Sequence, residues 1–264
     1  MDASGPRGSG ADRVFITGAS SGIGAALALR YAMQGASVGL FARRAGALAT
    51  LAGEIPAERC ATYAGDVRDP EALGRAAREF IARFGSPTVV IANAGVSLGA
   101  LTERTEDLPV FREVLETNVV GMINTFAPFI AVMRTAGGGT LAGIASVAGF
   151  RGLAGSGAYS ASKAAAITYL ESLRLELRDS RIAVVTICPG YVATPMTASN
   201  PYRMPFLLDP RKAARLIARA IDRRRRFYVL PWQMALFGFV LRQLPRPIYD
   251  AVFSRAPRKA RHRG

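Results

Sequence analysis

Short apolar runs of strand length alternate along this chain with longer segments of helical periodicity, and that alternation leaves few folds open. The runs at 13–17, 37–42, 60–64, 88–92, 140–145, 183–187 and 227–230 read as strands. Between them, 23–34, 45–55, 70–84, 108–135, 156–178 and 210–223 carry apolar residues at the spacing of a helix face. Several of the strand runs are apolar almost throughout, as in Thr-Val-Val-Ile-Ala at 88–92, which suits strands covered on both faces. The expected fold is therefore α/β, a Rossmann-type, doubly wound parallel sheet flanked by helices in a single domain. With 264 residues, half of them hydrophobic, the chain can bury one large core, and this excludes a disordered protein.

The division expected along the chain is a flexible Gly/Ser/Asp-rich arm at 1–12, a body at 13–230 and a basic extension at 231–264 containing an apolar helix. Charge sharpens that division. The formal net charge is +15, yet residues 1–202 hold 18 basic and 16 acidic side chains, while residues 203–264 hold 16 and 3. The body is nearly neutral and the excess belongs to the tail. Cys60 and Cys188 are too few for a disulfide scaffold, and the first residues lack the apolar core of a secretory signal, so a reducing, cytoplasmic setting is expected.

After the first strand run comes Thr17-Gly18-Ala19-Ser20-Ser21-Gly22-Ile23-Gly24, and then a helix opens. Glycines there let the backbone turn tightly and approach a pyrophosphate at the positive helix end, although a tight strand–helix turn needs glycines for structural reasons too. The second strand run ends Ala42-Arg43-Arg44. An Asp or Glu near this place would receive the adenosine ribose hydroxyls of NAD(H); two cations beside an alanine favour the 2′-phosphate of NADP(H). The other reading makes Arg43 and Arg44 a solvated helix start.

The spacing Gly-x-x-x-Gly-x-Gly resembles the short-chain dehydrogenase/reductase family. Further motifs agree with it in order: Asn93-Ala94-Gly95, Asn118, Ser146, Tyr159-x-x-x-Lys163, Pro189-Gly190 and Thr194, a resemblance covering about residues 13–230. It implies a cofactor site at Gly18, Ser20, Ser21, Gly22, Ile23, Gly24, Arg43, Arg44, Asp66, Val67, Asn93, Ala94, Gly95, Tyr159, Lys163, Pro189, Gly190, Val192 and Thr194. Asp66 would take the adenine amino group and Val67 would contact the ring through its backbone; otherwise Asp66 is a helix cap ahead of Pro70.

The resemblance assigns catalysis to Asn118, Ser146, Tyr159 and Lys163. Tyr159 and Lys163 are four apart in a helical segment and share a face. A free tyrosine ionises near pH 10, and a neighbouring ammonium is expected to lower that value. Ser146 would hold the substrate oxygen, Lys163 the nicotinamide ribose, and Asn118 would kink its helix and hold a water leading from Lys163 to solvent. The bland readings are an amphipathic surface pair, a strand-end cap and a buried amide bonded to backbone. The chemistry implied is hydride transfer between nicotinamide C4 and a carbonyl or carbinol carbon, with no metal called for. The sole histidine, His262, reads as solvated.

The stretch 189–210 is rich in Pro, Met and aromatics, and the family places its substrate-covering loop here. Tyr191, Met196, Tyr202, Met204, Phe206 and Leu207 are candidates to line an apolar pocket bordered by 97–102, or else are ordinary packing at the sheet edge. An apolar lining suggests a hydrophobic ketone or alcohol. The resemblance also implies a homodimer or homotetramer through the Tyr–Lys helix, with Leu170, Leu173 and Leu177 as contacts. In the tail, Arg223–226 precedes a charge-free apolar stretch at 228–241, too short to span a bilayer. It reads as a helix over the pocket or against a subunit, or as an anchor peripheral to a membrane. A recognition module for nucleic acid is absent. A second function class stays open, a membrane-surface binding protein that keeps the fold as a scaffold.

Overall fold

In the computed structural model, which describes residues 11–198, 200, 202–254, 259 and 261, seven strands form one parallel sheet. They are β1 (Arg13–Thr17), β2 (Ser37–Ala42), β3 (Cys60–Ala64), β4 (Val89–Ala92), β5 (Gly139–Ile144), β6 (Ile182–Pro189) and β7 (Phe227–Leu230), in the order β3-β2-β1-β4-β5-β6-β7. The helices are α1 (Gly22–Met33), α2 (Ala45–Ala52), α3 (Pro70–Phe84), α4 (Leu108–Leu115), α5 (Gly121–Thr135), α6 (Gly157–Glu176), α7 (Pro195–Ala198), α8 (Pro210–Asp222), α9 (Trp232–Gln243) and α10 (Arg246–Phe253). The strands lie where the apolar runs placed them. The segment read as one helix at 108–135 is divided by a π-helical stretch, Glu116–Val120, between α4 and α5.

Alternate strand residues face opposite layers, which explains the unbroken apolar runs. Val14 and Ile16 of β1 join the core built with α1, α2 and α8. Phe15 points the other way, into the core under α3, α5 and α6. There its ring meets Phe129 at 4.8 Å, Phe80 at 5.5 Å and Tyr63 at 5.9 Å between centroids. Two helices start on the same device, a proline in the first turn behind an aspartate cap. Asp69 accepts from the Glu71 and Ala72 N–H groups, and Asp209 from those of Arg211 and Lys212. The cap ahead of Pro70 is therefore Asp69, and not Asp66.

Because α8 packs on α1, across the sheet from α6, the chain between β6 and α8 must pass over the carboxyl ends of the strands. That passage puts the 189–210 stretch above the crevice where a doubly wound sheet binds its ligand.

Two expectations change. Leu170, Leu173 and Leu177 are buried inside the chain, with Leu170 against Gly143 of β5, so they are not available to a partner subunit. Leu175 is the exposed leucine of α6. The arm read as 1–12 is tied down at its end: Ser37 N–H donates to the Asp12 carbonyl and Thr88 Oγ1 to its carboxylate, each at 2.8 Å. Residues 1–10 and His262 lie outside the described residues.

Phe15 sits at the centre of the aromatic core, so Phe15→Ala should lower the unfolding free energy by about 3–5 kcal/mol in urea titrations. Leu175→Ala should stay within about 0.5 kcal/mol of the parent.

Candidate active site

The carboxyl ends of β1 and β4 separate where the strand order reverses, and a cleft of about 450 Å³ opens there. Its floor is the glycine turn between β1 and α1. Asn93, just past β4, donates from Nδ2 to the carbonyls of Thr17 and Gly18, both at 3.1 Å, and so ties the two strand ends together. Gly24 lies beneath this turn; a Cβ there would stand 2.3 Å from the Gly18 carbonyl oxygen. It supports the turn without lining the cleft. Unlike α3 and α8, α1 has no side-chain cap, and its first turn carries no acidic residue. Its leading N–H groups remain suited to an anion.

Beside this floor, Arg44 reaches back to the turn and donates to the Ser20 and Ser21 hydroxyls, both at 2.9 Å. It is thus more than a solvated helix start. Arg43 is exposed on the same wall, and Ala42 stands where β2 ends. Asp66 is held by Arg68, whose Nε and terminal nitrogen donate to Oδ2 at 3.0 and 2.6 Å. The Arg68 hydrogen bonds, with Arg43 nearby, keep its carboxyl below the usual range. Val67 lines the cleft, and its carbonyl accepts from Asn124.

The opposite wall is organised by Asn118, fully buried in the π-helical stretch. Its Oδ1 accepts from Val96 N–H at 2.8 Å, and its Nδ2 donates to the Val96 carbonyl and to Ser162 Oγ, each at 2.9 Å. Ser162 Oγ in turn donates to the Tyr159 carbonyl at 2.7 Å. One amide therefore fixes the chain leaving β4 and the turn of α6 that carries Tyr159. Both of its protons are engaged, so the side chain orients its neighbours, and it lies behind the cleft lining. A π-turn at a functional site is a recurrent use of this otherwise rare geometry.

Ser146, Tyr159 and Lys163 all line the cleft. Ser146 Oγ accepts from Ala148 N–H at 3.1 Å, so it caps the short 3-10 turn Val147–Gly149 as well as facing the cleft. Gly149 brings that turn against α6; a Cβ there would meet the Lys163 backbone at 2.7 Å. Lys163 is buried, its Nζ donates to the Ile144 carbonyl at 2.8 Å, and it lies 5.8 Å from the Tyr159 ring centre. Burial brings Lys163 down to about 8. Burial also pushes Tyr159 up, with its Ser146 hydrogen bond pulling the other way. The expectation that the ammonium lowers Tyr159 is corrected: burial sets the direction instead, because it disfavours the charged form of either group.

Of the pocket candidates, Met196 lines the cleft, and Tyr202 is close enough to Tyr159 to raise it further. Tyr191 packs on Tyr202 with ring centres 6.4 Å apart. Phe206 and Leu207 are exposed and do not line the cleft; Leu208, buried beside Val192, is the residue that anchors the loop. Met204 Sδ accepts from Asn200 outside the cleft lining. Sequence reasoning missed Val96, Thr117, Ile144 and Thr197 as cleft residues. They flank the recognised motifs by one or a few positions, and their residue types give no signal of their own. None of 97–102 lines the cleft; this stretch and the turn after it are held by the tail instead, with Lys259 Nζ donating to Ser97 Oγ at 2.7 Å and Arg261 binding Asp107 and Glu106.

Residues 12–204 match the family model of short chain dehydrogenases. The chain belongs to that family. Among its relatives is an uncharacterized oxidoreductase of Myxococcus xanthus, 38% identical over 243 residues, which cover 91% of this chain and 96% of the relative. The 11-beta-hydroxysteroid dehydrogenase 1A of Arabidopsis thaliana is 36% identical over 188 residues, 70% of this chain and 53% of that protein. A crystal structure of a short-chain dehydrogenase from Streptomyces avermitilis superimposes with a TM-score of 0.78 at 29% identity, covering 93% of this chain and 95% of that one. As a short-chain dehydrogenase the protein is an oxidoreductase that uses a nicotinamide cofactor. The uncapped α1, the glycine turn and the basic wall fit such a dinucleotide.

Gly24→Ala forces a methyl group against the Gly18 carbonyl. It should weaken NAD(P)H at least tenfold in a fluorescence titration, about 1.4 kcal/mol or more; unchanged affinity would show that the turn is not the phosphate seat.

Proposed function

We propose that the protein is an NADP(H)-dependent carbonyl reductase or alcohol dehydrogenase that interconverts an apolar ketone and its secondary alcohol, with Tyr159 as the acid and base. The observation that carries this reading is the convergence of Tyr159, Ser146 and Lys163 on one cleft, beside a basic wall at the end of β2. When bound, the nicotinamide supplies hydride for reduction and accepts it for oxidation.

The chain's own residues do the rest. Ser146 donates to the substrate oxygen and stabilises charge that builds on it; removal of such a donor typically costs about 2.7–4 kcal/mol of barrier. Tyr159 gives its proton to that oxygen in reduction and takes it back in oxidation. Raised by burial, the phenol holds its proton firmly until the substrate oxygen becomes basic, which suits the direction of reduction. Lys163, as ammonium, stabilises the phenolate left behind and binds the ribose hydroxyls. Asn118 holds both α6 and the β4 exit in register. Arg43 and Arg44, joined by Ser20, form the seat for the 2′-phosphate, and Ala42 offers no carboxylate to repel it. Met196, Tyr191 and Tyr202 support an apolar substrate. The scaffold-only reading is not favoured, since Ser146, Tyr159 and Lys163 all line the cleft, with Asn118 bonded behind them.

Tyr159→Phe should lower kcat for carbonyl reduction by at least about a hundredfold with little change in NADPH affinity; near-parental turnover would remove Tyr159 from the chemistry. Replacing Arg43 and Arg44 together by alanine should weaken NADPH far more than NADH, and an equal loss for both would refute phosphate recognition. The pH profile follows from Lys163. Its ammonium is the working form, and burial places its loss at about 8, so kcat/KM for reduction should fall as pH rises through that value. A rate flat to pH 10 would contradict this role.

A further inference from the structure

The tail helices divide their surfaces in a way that the catalytic reading leaves unexplained. On α9, Met234 and Gly238 face the body: Met234 packs on Gly190 and Phe150 packs on Gly238. On α10, Tyr249 donates to the Gly152 carbonyl at 2.5 Å. Arg151 clamps the junction between the two helices, donating to the Leu241 and Leu244 carbonyls at 3.0 and 2.9 Å. The pair is therefore docked in a fixed orientation beside the cleft rim.

The outward face of these docked helices is apolar. Trp232, Leu236, Phe239 and Val240 recur at the spacing of a single stripe on α9 and are all more than half exposed, and Ile248 and Val252 continue the pattern on α10. The contrast with α8 is direct. There the outer stripe is Arg211, Lys212, Arg215 and Arg219 while alanines and isoleucines face inward. On α9 both the inward residues Met234 and Gly238 and the outward stripe are apolar, and the stripe stays more than half exposed.

Charge chooses among occupants for this face. Exposed Arg223, Arg225 and Arg226 precede β7 and exposed Arg246 opens α10, while Arg242, near the end of α9, holds its guanidinium over the Phe150 ring at 4.5 Å. From 223 to the end the sequence has eleven basic residues and one acidic residue, Asp250. A second copy on a twofold axis would bring these cationic rims together. An anionic lipid surface satisfies both properties, apolar depth for the stripe and phosphate or carboxylate for the rim. At about 1.5 Å per residue, α9 is too short to cross the ~30 Å hydrocarbon layer, so it would lie in the interface.

We propose that the outer face of α9 and α10 docks the protein peripherally on anionic lipid membranes. The inference is independent of which substrate the cleft takes. Trp232 is the only tryptophan of the chain and sits within the stripe, so it reports docking directly. The full-length protein would be mixed with vesicles of phosphatidylcholine alone and of phosphatidylcholine with phosphatidylserine. The expected result is a shift of Trp232 emission to shorter wavelength and co-sedimentation with the phosphatidylserine vesicles only, both reversed by high salt. The exposed double variant Leu236→Ser/Phe239→Ser should bind those vesicles at least about tenfold more weakly. Its circular dichroism and turnover of a water-soluble aldehyde should match the parent. Absence of an emission shift with anionic vesicles, or undiminished binding by the double variant, would overturn the proposal. So would an emission shift without vesicles that follows protein concentration and accompanies a dimer in sedimentation, which would make the face a subunit interface.

Discussion

The reversal of strand order between β1 and β4 is the constraint on which the rest of the site depends. A parallel sheet wound outward from that point sends the chain leaving β1 to one side and the chain leaving β4 to the other, so their carboxyl ends part. The gap would be loose without a tie. Asn93 supplies one by donating from the β4 exit to two carbonyls of the β1 turn. Asn118 supplies the next, from the same exit to α6. The glycine turn and the proposed reacting side chains thus belong to one hydrogen-bonded frame, held by two side-chain amides whose donors all find partners.

That frame explains why so much was legible in the sequence. Strands covered on both faces must be apolar at every position, so β1, β2, β5 and β6 announce themselves as runs. The Asp-Pro pairs at 69–70 and 209–210 mark helix starts to the residue, because cap and fixed φ act locally. The site residues were legible for other reasons: Gly18–Gly24, Asn93–Gly95, Ser146 and Pro189–Gly190 follow strand ends, where few residue types allow the required turn, while Tyr159 and Lys163 share a face of α6 at a spacing of four.

What escaped notice depends on tertiary context. The π-helical stretch Glu116–Val120 contains no proline or glycine to mark it; the resemblance alone implied a kink at Asn118, whose amide pairs with Val96 only in the fold. The leucines of α6 have the same spacing whether they meet a subunit or β5; only the close approach of Gly143 decides it. Phe206 and Leu207 carry the chemistry of a pocket lining but flank the Leu208 anchor, which turns them outward. The direction of the Tyr159 shift also needed the fold. Sequence spacing gives a neighbouring ammonium, whereas burial, invisible in spacing, sets the direction. Likewise, the exposure of the apolar stripe between the arginines that flank it in sequence shows only once α9 is seen docked on its other face.

The central claim is that this cleft moves hydride between a nicotinamide and a carbonyl carbon while Tyr159 handles the proton. Following the label tests it most directly. The full-length protein would be incubated with an apolar ketone and NADPH carrying deuterium at both C4 positions, and the alcohol examined by mass spectrometry. One deuterium bound to the carbinol carbon is the predicted result. An alcohol formed without that deuterium, or no alcohol from any ketone while the cofactor is bound, would contradict it.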